Sequence, residues 1–138
     1  MRGRHEHNMD AKGRIFVPAK FREQLGASFV AATVLDKCIS LYPNDEWEKL
    51  MDQIAEEPLT KRRDIERFYS ANAQDVEPDP QGRILLPKNL IRRAGLVKEC
   101  VVLGVGKRAE IWDRETYDSK EVDMTLDAVE QKLQEMGF

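Results

Sequence analysis

Two arginines occupy positions where a side chain is free to touch another molecule. The segments DAKGRIFVPAKFR (residues 10–22) and DPQGRILLPKNLIR (residues 79–92) each set an arginine directly after a turn glycine. The register between them is a constant 69 residues: Asp10/Asp79, Gly13/Gly82, Arg14/Arg83, Ile15/Ile84 and Pro18/Pro87, with Gly26/Gly95 extending the match. An arginine at the tip of a β-turn can reach into the major groove of a duplex, where its planar fork fits the O6/N7 edge of guanine. Nearby lysines and backbone N–H groups then hold phosphates. Arg14 and Arg83 are the first candidates for such contacts. Lys12 strengthens the first tip, since the matching residue in the second is Gln81. Arg4, on the incoming strand, and Lys20 and Arg22, after Pro18, complete the candidate set. A plainer reading stays open for each turn: Arg14 and Arg83 could pair locally with the aspartate four residues back. Lys20 and Arg22 could equally be solvated or paired with Glu23.

Other chemistries find little support. His5 and His7 share a strand face, but no third ligand of suitable spacing is near, so no metal is expected. The chain has no Gly-rich phosphate loop, no Ser/His/Asp arrangement and no catalytic cysteine context, so neither an enzyme nor a cofactor is expected. Cys38 and Cys100 fall at non-equivalent places in the repeat and are expected to be reduced thiols buried in strands.

The elements that must position these arginines can be read from local pattern. Asp at the first and Gly at the fourth position favour a type I turn, and Pro80 suits the second position of the later copy. Residues 4–9 and 73–78 are expected to form incoming strands, with RIFV and RILL as outgoing ones. On the outgoing strands only the tip arginine is polar, which predicts burial on both faces except at the loop end. Pro18 and Pro87 begin short helices where a missing N–H costs little. Phe21 and Leu25, and likewise Leu90 and Ala94, line their inner faces. Strand pairs follow at 28–35 with 38–42 and at 99–104 with 109–112. Asn44 and Asp113 are expected to cap the helices after them. Each half is thus strand–turn–strand–helix–hairpin–helix. One such unit buries too little to stand alone, but two can close a shared sheet as a pseudo-symmetric pair.

Residues 60–70 should form a connecting helix with Ile65, Phe68 and Tyr69 inward and Lys61, Arg62 and Arg63 as its solvated start. The tail carries Leu126, Val129, Leu133 and Met136 on one helical stripe, for intramolecular packing or for a subunit contact. The expected organisation is a first unit at 1–53, a connecting helical segment at 54–72, a second unit at 73–120 and a helical tail at 121–138.

Composition sets the limits. The 138 residues are 41% hydrophobic and 34% charged, ordinary for a soluble chain, with a net charge of −3. No run approaches the roughly 18 apolar residues of a membrane span, and the N-terminal decapeptide has no apolar core of a secretory signal. A cytoplasmic protein is expected. The charge is unevenly spread. Residues 1–22 hold six Lys/Arg against two acids, and five bases but no acid lie between Asp79 and Glu99. Residues 113–138 hold three bases against eight acids. Both arginine turns are therefore locally basic on an acidic chain.

The twin turns, together with RGRHEHNMDAKGRIFVPAKFRE, LYPNDEWEKL, DPQGRILLPKNLIRRAGL and VVLGVGKRAEIWD, cover most of the chain and resemble the MraZ family of bacterial transcriptional regulators, built from tandem SpoVT/AbrB-type units. One position departs from the family pattern, which has arginine four residues after the second proline. Arg22 follows Pro18 in that way, but the second copy has Ile91, with Arg92 and Arg93 displaced around the helix. The resemblance implies an α+β, mainly β fold in which two pseudo-symmetric β-hairpin/helix units form a swapped-hairpin (double-split) β-barrel with peripheral helices. It further implies a ring-like homo-oligomer and a nucleoid-associated repressor on double-stranded DNA, bound to short direct repeats upstream of its own cell-division and cell-wall gene cluster, with no membrane partner and no small-molecule substrate. An alternative is a protein-binding assembly or antitoxin-like module on the same barrel, its turn arginines gripping an acidic partner.

Overall fold

The computed structural model describes all 138 residues as an α+β chain of eight strands and six helices. The first half contains β1 (Arg2–Asn8), β2 (Arg14–Phe16), α1 (Ala19–Leu25), β3 (Phe29–Ala32), β4 (Ile39–Tyr42) and α2 (Asn44–Ala55). Helix α3 (Leu59–Asn72) leads to the second half: β5 (Ala73–Val76), β6 (Arg83–Leu85), α4 (Lys88–Ala94), β7 (Glu99–Val105), β8 (Arg108–Asp113) and α5 (Arg114–Val122). Helix α6 (Leu126–Glu135) ends the chain.

Six strands form one antiparallel sheet in the order β1-β7-β8-β4-β3-β5, and β2 pairs with β6 in a separate two-stranded sheet. Exchanging the two halves maps the six-strand order onto its own reverse, so the sequence repeat is a structural repeat. The halves are nevertheless not separate. The incoming strand β1 pairs with β7 of the second half, and β5 pairs with β3 of the first. The two strands that flank each turn therefore do not pair with each other as a hairpin. Each turn closes by a single rung, Asp10 N–H to Arg14 C=O at 2.9 Å and Asp79 N–H to Arg83 C=O at 2.8 Å, after which its two strands part to different sheets.

The core follows from strand alternation and the short helices. Ile15, Val17, Ile84 and Leu86 point inward with Phe21, Leu25, Leu90 and Ala94, and they meet Phe29, Ile39, Leu41, Val102 and Ile111 from the large sheet. Each fully buried aliphatic side chain contributes roughly 1.5–3 kcal/mol, and truncating Ile84 to alanine would cost about 2–5 kcal/mol. Pro18 and Pro87 stand directly before α1 and α4, and their carbonyls accept from the N–H groups of Phe21 and Arg22 and of Leu90 and Ile91. A residue lacking an N–H costs nothing at that point.

Three further local expectations are revised. The outgoing strands are buried on one face only, because a two-stranded sheet has one side on the core and one outside: Phe16 is half-buried and Leu85 is 59% exposed. Asn44 does not cap α2, since its side-chain amide donates to the Ser28 carbonyl, whereas Asp113 caps α5 by accepting from Thr116 N–H. Phe68 is not inward. It lies 40% exposed beneath the Arg93 guanidinium, while the buried position of α3 is Asn72.

Candidate nucleic-acid interface

The two turns are built alike. The Asp10 carboxylate accepts from the backbone N–H groups of Lys12 and Arg14, and Asp79 accepts from those of Gln81 and Arg83. The main chain also closes Gly13 N–H onto Asp10 C=O and Gly82 N–H onto Asp79 C=O. These backbone donors, aided by the arginine side chains, hold both carboxyls below the usual carboxylate range.

Pairing of β2 with β6 then unites turns 69 residues apart. Arg14 lies opposite Leu85, Ile15 opposite Ile84 and Phe16 opposite Arg83. Main-chain bonds from Val17 N–H to Gly82 C=O and from Leu86 N–H to Gly13 C=O extend the ladder into each turn. With the isoleucines inward, Arg14, Phe16, Arg83 and Leu85 share the outer face of one antiparallel ribbon.

Both arginines are in the local pair that the plainer reading allowed. Arg14 Nε donates to Asp10 Oδ2 at 2.7 Å, and Arg83 Nε donates to Asp79 Oδ2 at 2.9 Å. Yet the pair and a base contact do not exclude each other. The aspartate takes the Nε edge of Arg14, which leaves both terminal nitrogens to address a second group. Arg83 is more occupied, since its Nη1 also stands 3.9 Å from Asp10 Oδ2.

The other candidates separate. Lys12 and Lys20 are exposed at the tip and on α1. Arg22 has a packing role: Nε donates to Val17 C=O at 2.9 Å, and the guanidinium covers the Phe16 ring at 5.6 Å. It also lies over the opposite turn, where a Cβ on Gly82 would fall 2.8 Å from Arg22 Cζ. Ile91 does the same in reverse, 3.1 Å from the Cβ position of Gly13. The departure Arg22/Ile91 thus marks a reciprocal clasp, each half's short helix covering the other half's turn glycine. Arg4 binds Glu121 and Asp118, both at 2.8 Å, and Glu6 at 3.1 Å, and stands over Tyr117, tying β1 to α5. His5 and His7 pack against Phe21 and Phe16, and burial followed by the neighbouring His5 lowers the pKa of His7.

Sequence reading missed Leu85 as a surface residue. Its signal was the period of two from Arg83, which places both on the same face. No helix is long and apolar enough to cross a membrane.

Comparison with known proteins gives this geometry its lineage. Residues 1–66 and 70–136 both match the family described as "MraZ protein, putative antitoxin-like". The chain belongs to the MraZ family. It is 43% identical over 137 residues to the transcriptional regulator MraZ of Lachnoclostridium phytofermentans, covering 99% of this chain and 96% of that one. It is 48% identical over 119 residues to the transcriptional regulator MraZ of Natranaerobius thermophilus, covering 85% and 83%. The corresponding protein of Caldanaerobacter subterraneus subsp. tengcongensis is 41% identical over 135 residues, covering 95% and 94%. Two MraZ matches in tandem agree with the two halves related by the sheet symmetry.

Proposed function

We propose that this MraZ-family chain is a sequence-specific DNA-binding transcriptional regulator, and not an enzyme, that represses its own cell-division and cell-wall gene cluster from short direct repeats upstream. The observation that carries the proposal is the β2–β6 ribbon, whose outer face holds both turn arginines. A two-stranded antiparallel ribbon fits the major groove, and its outward side chains meet base edges. Arg14 is the principal base reader, Arg83 the secondary one, and Lys12 and Lys20 hold phosphates. Arg22 and Arg4 act at one remove, Arg22 by clasping the second turn and Arg4 by anchoring β1 to α5.

The two sheets together are read as a swapped-hairpin barrel, supported by the exchange of β1 and β5 between the halves. The organisation follows as units at 1–53 and 73–120, a connector at 54–72 and a tail at 121–138. The tail stripe does not pack within the chain: Leu126 and Met136 are 72% exposed, Val129 45% and Leu133 39%. It is read as a contact between subunits of a ring-like homo-oligomer acting on the nucleoid in the cytoplasm.

Multivalency gives the test. One protomer offers a small basic tip on a chain of net charge −3, so a single box binds weakly at physiological salt. Linked protomers convert later contacts into intramolecular ones and raise avidity by orders of magnitude where the geometry fits. Boxes spaced by about one helical turn, roughly 10 bp, present the same face of the duplex. In titrations with one-, two- and three-box duplexes from the chain's own upstream DNA, affinity should climb steeply, then collapse when roughly 5 bp is inserted between boxes. Equal affinity for all four duplexes removes the multivalent mechanism, and no binding at low salt removes DNA as the partner in favour of an acidic protein.

A further inference from the structure

The outer face of the ribbon holds two apolar residues, and only one of them has a partner. Phe16 is held by the His7 ring, with centroids 4.9 Å apart, and by the Arg22 guanidinium. The repeat partner of His7 is Val76, which turns into the core at 6% exposure, and the repeat partner of Arg22 is Ile91, which covers Gly13. Neither replaces the cover that Phe16 enjoys. Leu85 is therefore left 59% exposed directly opposite Arg14. Side chains directly opposite each other on one sheet face have Cβ atoms only about 5 Å apart, so Arg14 and Leu85 present one composite surface, a cationic fork beside an apolar branch. In the major groove that pair has a counterpart: guanine shows two acceptors, and thymine shows an acceptor and the only apolar group there, its C5-methyl.

We propose that Leu85 is a specificity-determining residue that buries the C5-methyl of a thymine beside the guanine read by Arg14. This rests on the DNA-binding reading above and adds to it a thymine requirement set by the second half of the repeat. The two turns then read different bases, because Phe16, already stacked within the protein, is not available to do the same from the first half.

Uracil supplies the probe, since it differs from thymine only by that methyl. The chain's own upstream DNA is amplified with either dTTP or dUTP, and both duplexes are titrated with wild type, Leu85→Ala and Leu85→Met. Wild type should bind the uracil duplex more weakly by about fourfold per contacted methyl, the worth of one buried methyl group. Leu85→Ala should bind the thymine duplex more weakly by a similar factor and lose little more on uracil DNA. Leu85→Met, still apolar, should keep the preference. Uniform uracil also alters the duplex in general, so the decisive quantity is the difference between wild type and Leu85→Ala in their thymine preference. Equal preferences, or a wild type indifferent to uracil, overturn the assignment while leaving DNA binding intact. Failure of wild type to bind even the thymine duplex overturns both readings.

Discussion

Replacing Arg14 by alanine and, separately, by lysine tests the proposed recognition of DNA by the ribbon. Arg14 is clamped through Nε by Asp10 at 2.7 Å, with its terminal nitrogens free. A bidentate guanine contact from that end is worth about 1–3 kcal/mol, so each protomer of Arg14→Ala should lose about 5- to 150-fold in affinity for a single box. The loss compounds across linked protomers on a multi-box site. Lysine keeps the charge but has neither the Nε edge that Asp10 holds nor a planar pair of donors. Arg14→Lys should therefore lose nearly as much affinity, while its log K against log[salt] slope stays near wild type. Arg83→Ala should be milder, because Arg83 Nη1 also faces Asp10 and its tip carries Gln81 in place of lysine. Lys12→Ala should weaken binding evenly across sequences and flatten the salt slope by about 0.9. The assay is fluorescence anisotropy with own-upstream duplexes at several salt concentrations, on variants shown to be folded by circular dichroism. A lysine variant within about twofold of wild type would falsify fork recognition and reduce Arg14 to a point charge. A larger loss from Arg83→Ala than from Arg14→Ala would reverse the ranking of the turns.

Three other outcomes are expected. Gly82→Ala should destabilise the fold by more than the roughly 1–2 kcal/mol of left-handed backbone strain, because the new Cβ pushes the Arg22 guanidinium off the turn and strains its bond to Val17 C=O and its cover of Phe16. Gly106→Ala, with positive φ but nothing within 4 Å, is the control, and equal melting temperatures would dismiss the clasp. If the proposed ring forms through the tail, Val129→Asp with Leu133→Asp should lower the mass measured by light scattering without altering circular dichroism, and an unchanged mass would free the tail stripe from subunit contact. Burial pushes the Cys38 thiol up to about 12 and the Cys100 thiol up to about 11, from 9.0. Well below the unfolded value of 9.0 these thiols are protonated in folded and unfolded chains alike. As pH rises toward the folded values, the unfolded chain releases protons that the folded chain retains, and stability falls. Urea midpoints that match at about pH 8 and about pH 10.5 would contradict this.

Much of this protein is legible residue by residue because its recurring device is local. Asp, Gly, Arg and Pro at fixed offsets specify a turn, an outgoing strand and a helix start through backbone sterics and short-range hydrogen bonds, and their recurrence at 69 residues declares the duplication. The positions of β4, β7 and β8 and the burial of Cys38 and Cys100 follow from apolar runs in the same way, but β3 stops at Ala32 instead of running to residue 35, Leu35 is exposed, and Cys38 is buried in the bend before β4 and not in a strand. Pairing across the halves does not. Nothing near residue 4 says that β1 joins β7, and nothing near Gly13 says that Ile91 will cover it, because a strand edge accepts any partner of suitable twist and register. The two-faced burial expected of RIFV and RILL fails for that reason: apolar composition cannot tell a central strand from one in a ribbon open on its outer side. Only the tertiary fold could bring Arg14 and Arg83 onto one face, set Arg4 against Asp118 and Glu121 and Arg22 over the opposite turn, and leave Leu85 bare. Those are consequences of which distant segments exclude water from each other, a choice made by the whole chain together.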